Sequence, residues 1–396
     1  MPQAALETEQ VDFSLSAGGL AYEFFRWSHL SGDEPRSVRR RVALLVTIAW
    51  LPPLILTVIA GTAYSDALRV SFLNSLLGHV RFLIVLPILI GVEPFIQKQL
   101  NTAVKLFLRR NIIPAGELAE FHRAIDNAHE KRNSYLIEIV LLILVYTVGV
   151  WFWVSRQPEG AQTWYANPNT LGLNLTLAGY WFVFVSLPMF QFFLVRWYAR
   201  FFILFWMLLQ ISKLNLNLTP THPDRAGGIG FVGRVSYALS PLLFAQGTLL
   251  SATIATEVMH NGRELQSFLV EAVGYISFFV IAVLLPLCVF VPALMRAKRR
   301  GLAIYGTLAA RYVEEFDKKW IRSNDPEGEE LLGTADIQSL ADLANSYEVV
   351  REMNLAPFYY RDIIRLAGIT AAPLIPLLLL VFSADELFRK ILEAIL

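Results

Sequence analysis

Apolar residues along this chain gather into seven blocks, at 42–63, 81–97, 135–154, 175–195, 235–256, 276–294 and 363–382, with most of the charge held between them. A helix rises 1.5 Å per residue, so roughly 18 to 25 apolar residues cover about 30 Å of hydrocarbon. The blocks therefore predict an all-α integral membrane protein with about seven transmembrane helices. Between the blocks the pattern changes to one apolar face per helix. Leu118, Phe121, Ile125 and Ala128 form one such stripe, Tyr305, Leu308, Tyr312, Phe316 and Trp320 a second, and Ile337, Leu340, Ala344 and Tyr347 a third. Segment 324–333, rich in Pro, Gly and acid, reads as a loop. Segment 276–320 reads as one helix bent at Pro286 and Pro292, so the amphipathic helices continue the spans. A short interfacial helix is expected over 21–30, anchored by Phe24, Phe25 and Trp27.

This pattern divides the chain into an N-terminal segment (1–41), a six-helix region (42–296), a helical polar region (297–361) and a last span with the C-terminus (362–396). The six-helix region contains a helical connection at 98–133 and a loop at 214–234. No soluble domain separates from the spans, and no internal repeat is evident.

Composition agrees with the pattern. A chain that is 55% hydrophobic and 17% charged, with mean hydropathy +0.48, has more apolar surface than a soluble core could bury. The first apolar block begins only at 42, so no cleaved signal peptide is expected. Cys288, the single cysteine, has no internal disulfide partner. A net charge of +1 points to no nucleic-acid partner. The distribution of charge is more informative: counted on alternate sides of the blocks, 28 Lys and Arg fall on one side and six on the other. Cytoplasmic flanks retain Lys and Arg. The N-terminus and the helical connections are expected in the cytoplasm, and the C-terminus outside.

The most distinctive string is LTPTHPDRAGGIGFVGR, at 218–234. It resembles a loop of bacterial multi-pass membrane proteins that carry a TPTHPDRAGG-x-GF signature, and the resemblance extends to DIQSLADLANSYEVVREM at 336–353. The resemblance implies a bacterial inner-membrane address and no particular activity. Physically, Gly227, Gly228, Gly230 and Gly233 precede the fifth span, where free amides and the helix dipole favour an anion and glycine permits close approach. With Arg225 and Arg234 adding charge, the loop is a candidate site for a phosphate or an acidic headgroup, with His222 and Asp224 beside it. The alternative is a rigid turn in which Asp224 caps the helix or pairs with an arginine. Gly228, Gly230 and Gly233 match G-x-G-x-x-G, but that fingerprint requires a preceding strand, and here a membrane helix precedes.

Acids within the spans form a second constellation. Glu93 and Glu138 lie near the inner ends of consecutive antiparallel spans, at matched depth, about 6 to 10 Å inside the boundary. Two such carboxylates can line an ion path or share a proton. Alternatively, each is paired with an arginine such as Arg196 or Arg200. Prolines occur in six of the seven blocks, each freeing a carbonyl, and Gly91, Glu93 and Pro94 mark the second span for a local break. His122, Asp126 and His129 share one helical face and are candidates for a metal.

No G-x-S-x-G, H-E-x-x-H or G-x-x-x-x-G-K-[ST] string is present, and the seventh block lacks a lysine for retinal. The sequence points to a channel or transporter for an ion or small solute, homo-oligomeric and without a cofactor. The alternatives are a membrane-embedded enzyme acting on a phosphorylated or lipid substrate at the His222 loop, and a scaffold or sensor without turnover. The expected partners are the bilayer, an anionic lipid or phosphate, and the ion or solute.

Overall fold

The structure, a computed structural model, describes residues 18–19, 23, 25, 34–155, 162–167, 174–322 and 335–380. Among them are nine helices, seven of which are long and apolar enough to cross a membrane: α1 (Pro35–Ile59), α2 (Leu76–Arg109), α4 (Tyr135–Val154), α5 (Leu177–Ser212), α6 (Gly230–Asn261), α7 (Leu265–Ile321) and α9 (Tyr360–Leu380). The other two are α3 (Leu118–Asn133), which is amphipathic, and α8 (Ala335–Arg351), which buries only Val350 and shows no marked apolar face. The protein is an all-α, seven-span membrane protein. The interfacial helix expected over 21–30 lies, apart from Glu23 and Phe25, outside the described residues, as do the 324–333 loop and the C-terminal residues beyond 380.

The spans differ in how much they bury: 61% of the apolar window of α6 is inside the protein, against 11% of that of α4. The first is central and the second peripheral. Leu136, Ile139, Val140, Ile143 and Trp151 of α4, with Val270, Phe278 and Ile281 of α7, stay exposed. So much outward apolar surface is suited to lipid rather than to water.

Prolines account for part of how the spans dock. In α1, Pro52 and Pro53 cannot donate to the carbonyls of Ile48 and Ala49. Those carbonyls instead accept from the Trp181 indole (3.0 Å) and the Ser186 hydroxyl (2.7 Å), both on α5. Pro188 likewise releases the Phe184 carbonyl, which accepts from the Tyr146 hydroxyl of α4 at 3.0 Å. Each freed carbonyl has become a bond between helices. In hydrocarbon an unsatisfied one would cost several kcal/mol.

Two spans depart from regular geometry in informative ways. α2 is interrupted at Val92, between a turn ending at Gly91 and a helix that starts at Glu93 with Pro94 in its first turn. α7 is continuous from the membrane into the polar layer, but tightens over Leu285–Phe290 around Pro286.

The polar layer packs as the first stripe requires, whereas Leu308 of the second stripe and Ile337 and Ala344 of the third stay exposed. Phe121, Ala124, Ile125 and Ala128 of α3 are buried, with Asn127 bonded to Gln210 of α5 and Lys131 over the Trp206 ring. α8 packs along the end of α7, where Lys319 and the Trp320 indole both reach the Asp336 carboxylate. At the opposite end of the bundle, a two-stranded ribbon pairs Ala166–Asn167 with Asn174–Leu175, next to the buried Trp164, whose ring contacts Phe72, Tyr165 and Phe182.

Candidate functional site

Two places concentrate polar chemistry. The first lies inside the bundle, where α1, α2, α4 and α5 meet. Arg196 and Arg200 stand one turn apart on the same face of α5, so their like charges need counterions. Glu93 supplies one from the break in α2. Its Oε1 lies 2.5 Å from Arg200 Nη1 and 3.6 Å from Arg196 Nη1, and its Oε2 lies 3.5 Å from Arg41 Nη1. Glu138 of α4 supplies the other, accepting from Arg196 Nε at 2.8 Å.

All five side chains are between 5% and 9% exposed, which removes them from water as thoroughly as the apolar core around them. Desolvation on this scale is tolerable only because every charge faces an opposite one. Aromatic rings complete the lining, with Phe25 against the Arg41 guanidinium and Trp197 against that of Arg200. Trp197 also donates its indole N–H to the Leu89 carbonyl, one turn before Glu93, so α5 holds both sides of the α2 break.

The N-terminal segment reaches the same cluster. The Gly18 carbonyl accepts from Arg196 Nη2 at 3.2 Å, and Gly19 (φ 86°) lies so close to the Glu138 carboxylate that a Cβ would collide with it. Three arginines thus meet two carboxylates and one backbone carbonyl. Glu93 and Glu138 share Arg196 as a partner, so a cation entering here would have to displace a guanidinium.

Arg41 is the member that depth along the sequence alone did not single out, because it stands at the charged flank of the first block. The signal was present: Arg41, Leu45, Ala49, Pro53 and Thr57 recur every four residues, and all five are buried. A charge on the apolar stripe faces the bundle interior.

The second place is the loop at 218–234. Its backbone turns through positive φ at Arg225 (47°), Gly227 (64°) and Gly228 (97°), which brings successive amides toward one point. The Asp224 carboxylate occupies that point. Its Oδ1 accepts from the amides of Ala226 (2.9 Å) and Gly228 (3.0 Å), and its Oδ2 from that of Gly230 (3.0 Å).

His222 Nδ1 lies 2.8 Å from Asp224 Oδ1 and 3.2 Å from the Asp224 amide nitrogen. Burial pushes the Asp224 carboxyl up, but the three amides together with His222 outweigh it and hold the group below the ordinary aspartate range. The anion attracted by the glycine amides is the chain's own.

Around this turn, Arg110 bonds the Gly228 carbonyl (3.2 Å) and lies over the Phe231 ring. Arg225 points away from the amides and pairs with Glu352 at 2.7 Å, while its carbonyl accepts from the Asn354 amide. The Tyr359 hydroxyl donates to the Asp224 carbonyl. Burial and the Asp224 charge raise the Tyr359 pKa, which keeps that donor protonated. Gly233 lies against the Pro357 carbonyl, where a Cβ would come within 2.5 Å. Arg234 is exposed and lies outside the turn's hydrogen bonds. The loop is therefore a clasp joining α2, α6, the end of α8 and the start of α9.

The His122, Asp126 and His129 face of α3 is partly exposed. Burial and Arg132 lower the His129 pKa against the opposing pull of Asp126. Among the described residues no three His, Cys, Asp or Glu side chains are grouped to hold a metal ion. Comparison of the chain with protein-family models, with curated proteins and with solved structures finds no match.

Proposed function

We propose that the protein is a channel or transporter for an ion or small solute, and that the Glu93 cluster is its gate. The observation that carries this reading is a set of five buried charges joining four spans at an interrupted helix. Ionisable groups at membrane depth mark ion and solute pathways because their burial is otherwise so unfavourable. The excess of guanidinium over carboxylate suits an anionic species, which would exchange with a carboxylate rather than add to it. The enzyme alternative at the His222 loop is less supported, because Asp224 is engaged by three backbone amides and His222 faces Asp224.

The reading places the protein in a bacterial inner membrane as a homo-oligomer. Its address follows from the loop's resemblance, and its orientation, with the N-terminus inside and the C-terminus outside, from the 28-to-6 division of Lys and Arg. Flux of chloride, phosphate, potassium and protons into proteoliposomes tests the function. Glu93→Gln and Glu138→Gln, each shown monodisperse, should change flux or its pH dependence. Unaltered flux in both variants would remove the cluster from the mechanism. For orientation, a cysteine at Thr221 in a Cys288→Ser background should resist impermeant reagents applied from outside, and labelling from that side overturns the topology.

A further inference from the structure

The clasp loop satisfies its own amides, but a groove on its other flank carries cations that nothing among the described residues neutralises. The groove, of about 610 Å³, lies between segment 214–220 and α7. Arg296 and Arg300 line it from α7, Asn215, Asn217 and Pro220 from the loop, and Tyr305 from the next turn of α7. The two arginines are four residues apart, hence on one helix face, where like charges repel.

Among the described residues neither guanidinium has an ion-pair or hydrogen-bond partner. Their neighbour Lys298, by contrast, is turned away to the Met353 carbonyl at 2.8 Å. Glu117, which accepts from the Asn215 side chain at 2.5 Å, does not line the groove, and neither does any other acid among the described residues.

Position narrows the ligand. No charged residue stands between Glu271 and Arg296, so Arg296 is the first charge after the apolar length of α7 and lies at the level of lipid headgroups. The groove is also partly apolar, with Ala293, Ala297 and Ile304 on its walls. Its depth is set by Gly301, where a Cβ would meet the Pro220 ring at 2.6 Å, so the loop and α7 approach as closely as backbone allows.

We propose that this groove binds a phosphate-bearing ligand, its phosphoryl oxygens bridging Arg296 and Arg300. Guanidinium suits this role because its planar donors pair with phosphate oxygens two at a time. The ligand is either an anionic phospholipid headgroup or a soluble phosphate.

The test uses the full-length protein in a neutral detergent. Native mass spectrometry should show phosphatidylglycerol retained in preference to phosphatidylcholine, with apparent affinity reduced at least tenfold in Arg296→Gln/Arg300→Gln. Arg296→Lys/Arg300→Lys should fall between wild type and the Gln pair, while Arg311→Ala, which removes an exposed charge elsewhere on α7, should bind like wild type. In a second arm, inorganic phosphate is titrated while thermal unfolding is followed. Stabilisation of wild type but not of the Gln pair identifies a soluble phosphate ligand; binding of phosphatidylglycerol without it identifies the lipid. Equal phosphatidylglycerol binding by wild type and the Gln pair without phosphate stabilisation confined to wild type, or binding of neither probe to wild type, overturns the proposal.

Discussion

Glu93 and Asp224 are both acids turned inward, and they are neutralised in opposite ways. Glu93 takes its partners from residues 41, 196 and 200, on two other spans, and each is a full charge. Asp224 takes its hydrogen bonds from the backbone amides of residues 226, 228 and 230, with His222 beside it in the same turn and Arg110 only at 4.0 Å. The first arrangement exists only once the bundle is assembled; the second can form wherever its own turn forms. A long-range cluster stores its stabilisation in the relative placement of helices, so it can be opened by moving them. A local cradle fixes one loop and transmits little.

The sharpest way to break this contrast is to remove one charge from the cluster. Arg200→Ala leaves Glu93 without its nearest cation, and losing one partner of a buried pair costs about 3 to 5 kcal/mol because the remaining charge stays buried. Equilibrium unfolding in mixed micelles should show a loss of this size. A loss below about 1 kcal/mol, the range of exposed pairs, would mean that the cluster is hydrated and does not brace the bundle.

Asp224→Ala should come next. Three amides lose a charged acceptor, yet the Asp224 side chain is itself only partly buried, so water can take its place. We expect about 2 to 3 kcal/mol, the scale of a single charge-assisted bond. Asp224→Asn should lie between, since its amide nitrogen cannot accept. The acid dependence has a definite sign. The Asp224 pKa is held below its unfolded value, so its contribution is complete above the unfolded pKa and is lost as pH falls through the folded one. The advantage of wild type over Asp224→Asn should be flat above about pH 5 and shrink as pH drops through and below the ordinary aspartate value of about 3.9. An advantage that persists unchanged into strong acid would show that shape, not charge, holds the clasp.

The same contrast explains what the sequence disclosed. Apolar length locates the spans, because hydrocarbon thickness imposes it locally; the fourth helix occupies the residues of its block, 135–154, and each of the others runs past its block at one end or both. Helical spacing also revealed α3, since Phe121, Ile125 and Ala128 bury the face they define. Depth placed Glu93 beside Glu138, and Arg196 and Arg200 were within reach as partners. What depth leaves open is rotation about each helix axis, which decides whether Arg41 faces lipid, water or Glu93.

The clasp was partly legible for the opposite reason. Its glycines and Asp224 are adjacent in the chain, so a rigid turn and an anion-binding turn were both readable. Only the folded loop shows that the anion is internal. The tertiary partners Arg110, Glu352 and Tyr359 left no local trace.

Arg225 gives the smallest effect and the finest discrimination. Its ion pair with Glu352 is half exposed, worth about 0 to 1 kcal/mol. Its backbone, at φ 47°, lies in the left-handed region, where a side chain costs roughly 1 to 2 kcal/mol. Arg225→Ala loses the pair and keeps the strained backbone, so stability should fall by about 0.5 to 1 kcal/mol. Arg225→Gly also loses the pair but relieves the strain, offset in part by the about 0.5 to 1 kcal/mol of extra freedom glycine has when unfolded. It should therefore stay within about 0.5 kcal/mol of wild type, the usual span for surface changes. Denaturation of the two variants side by side orders them. If glycine proves the worse of the two, the strain at Arg225 is smaller than the freedom glycine gains when unfolded, and the left-handed turn costs the clasp little.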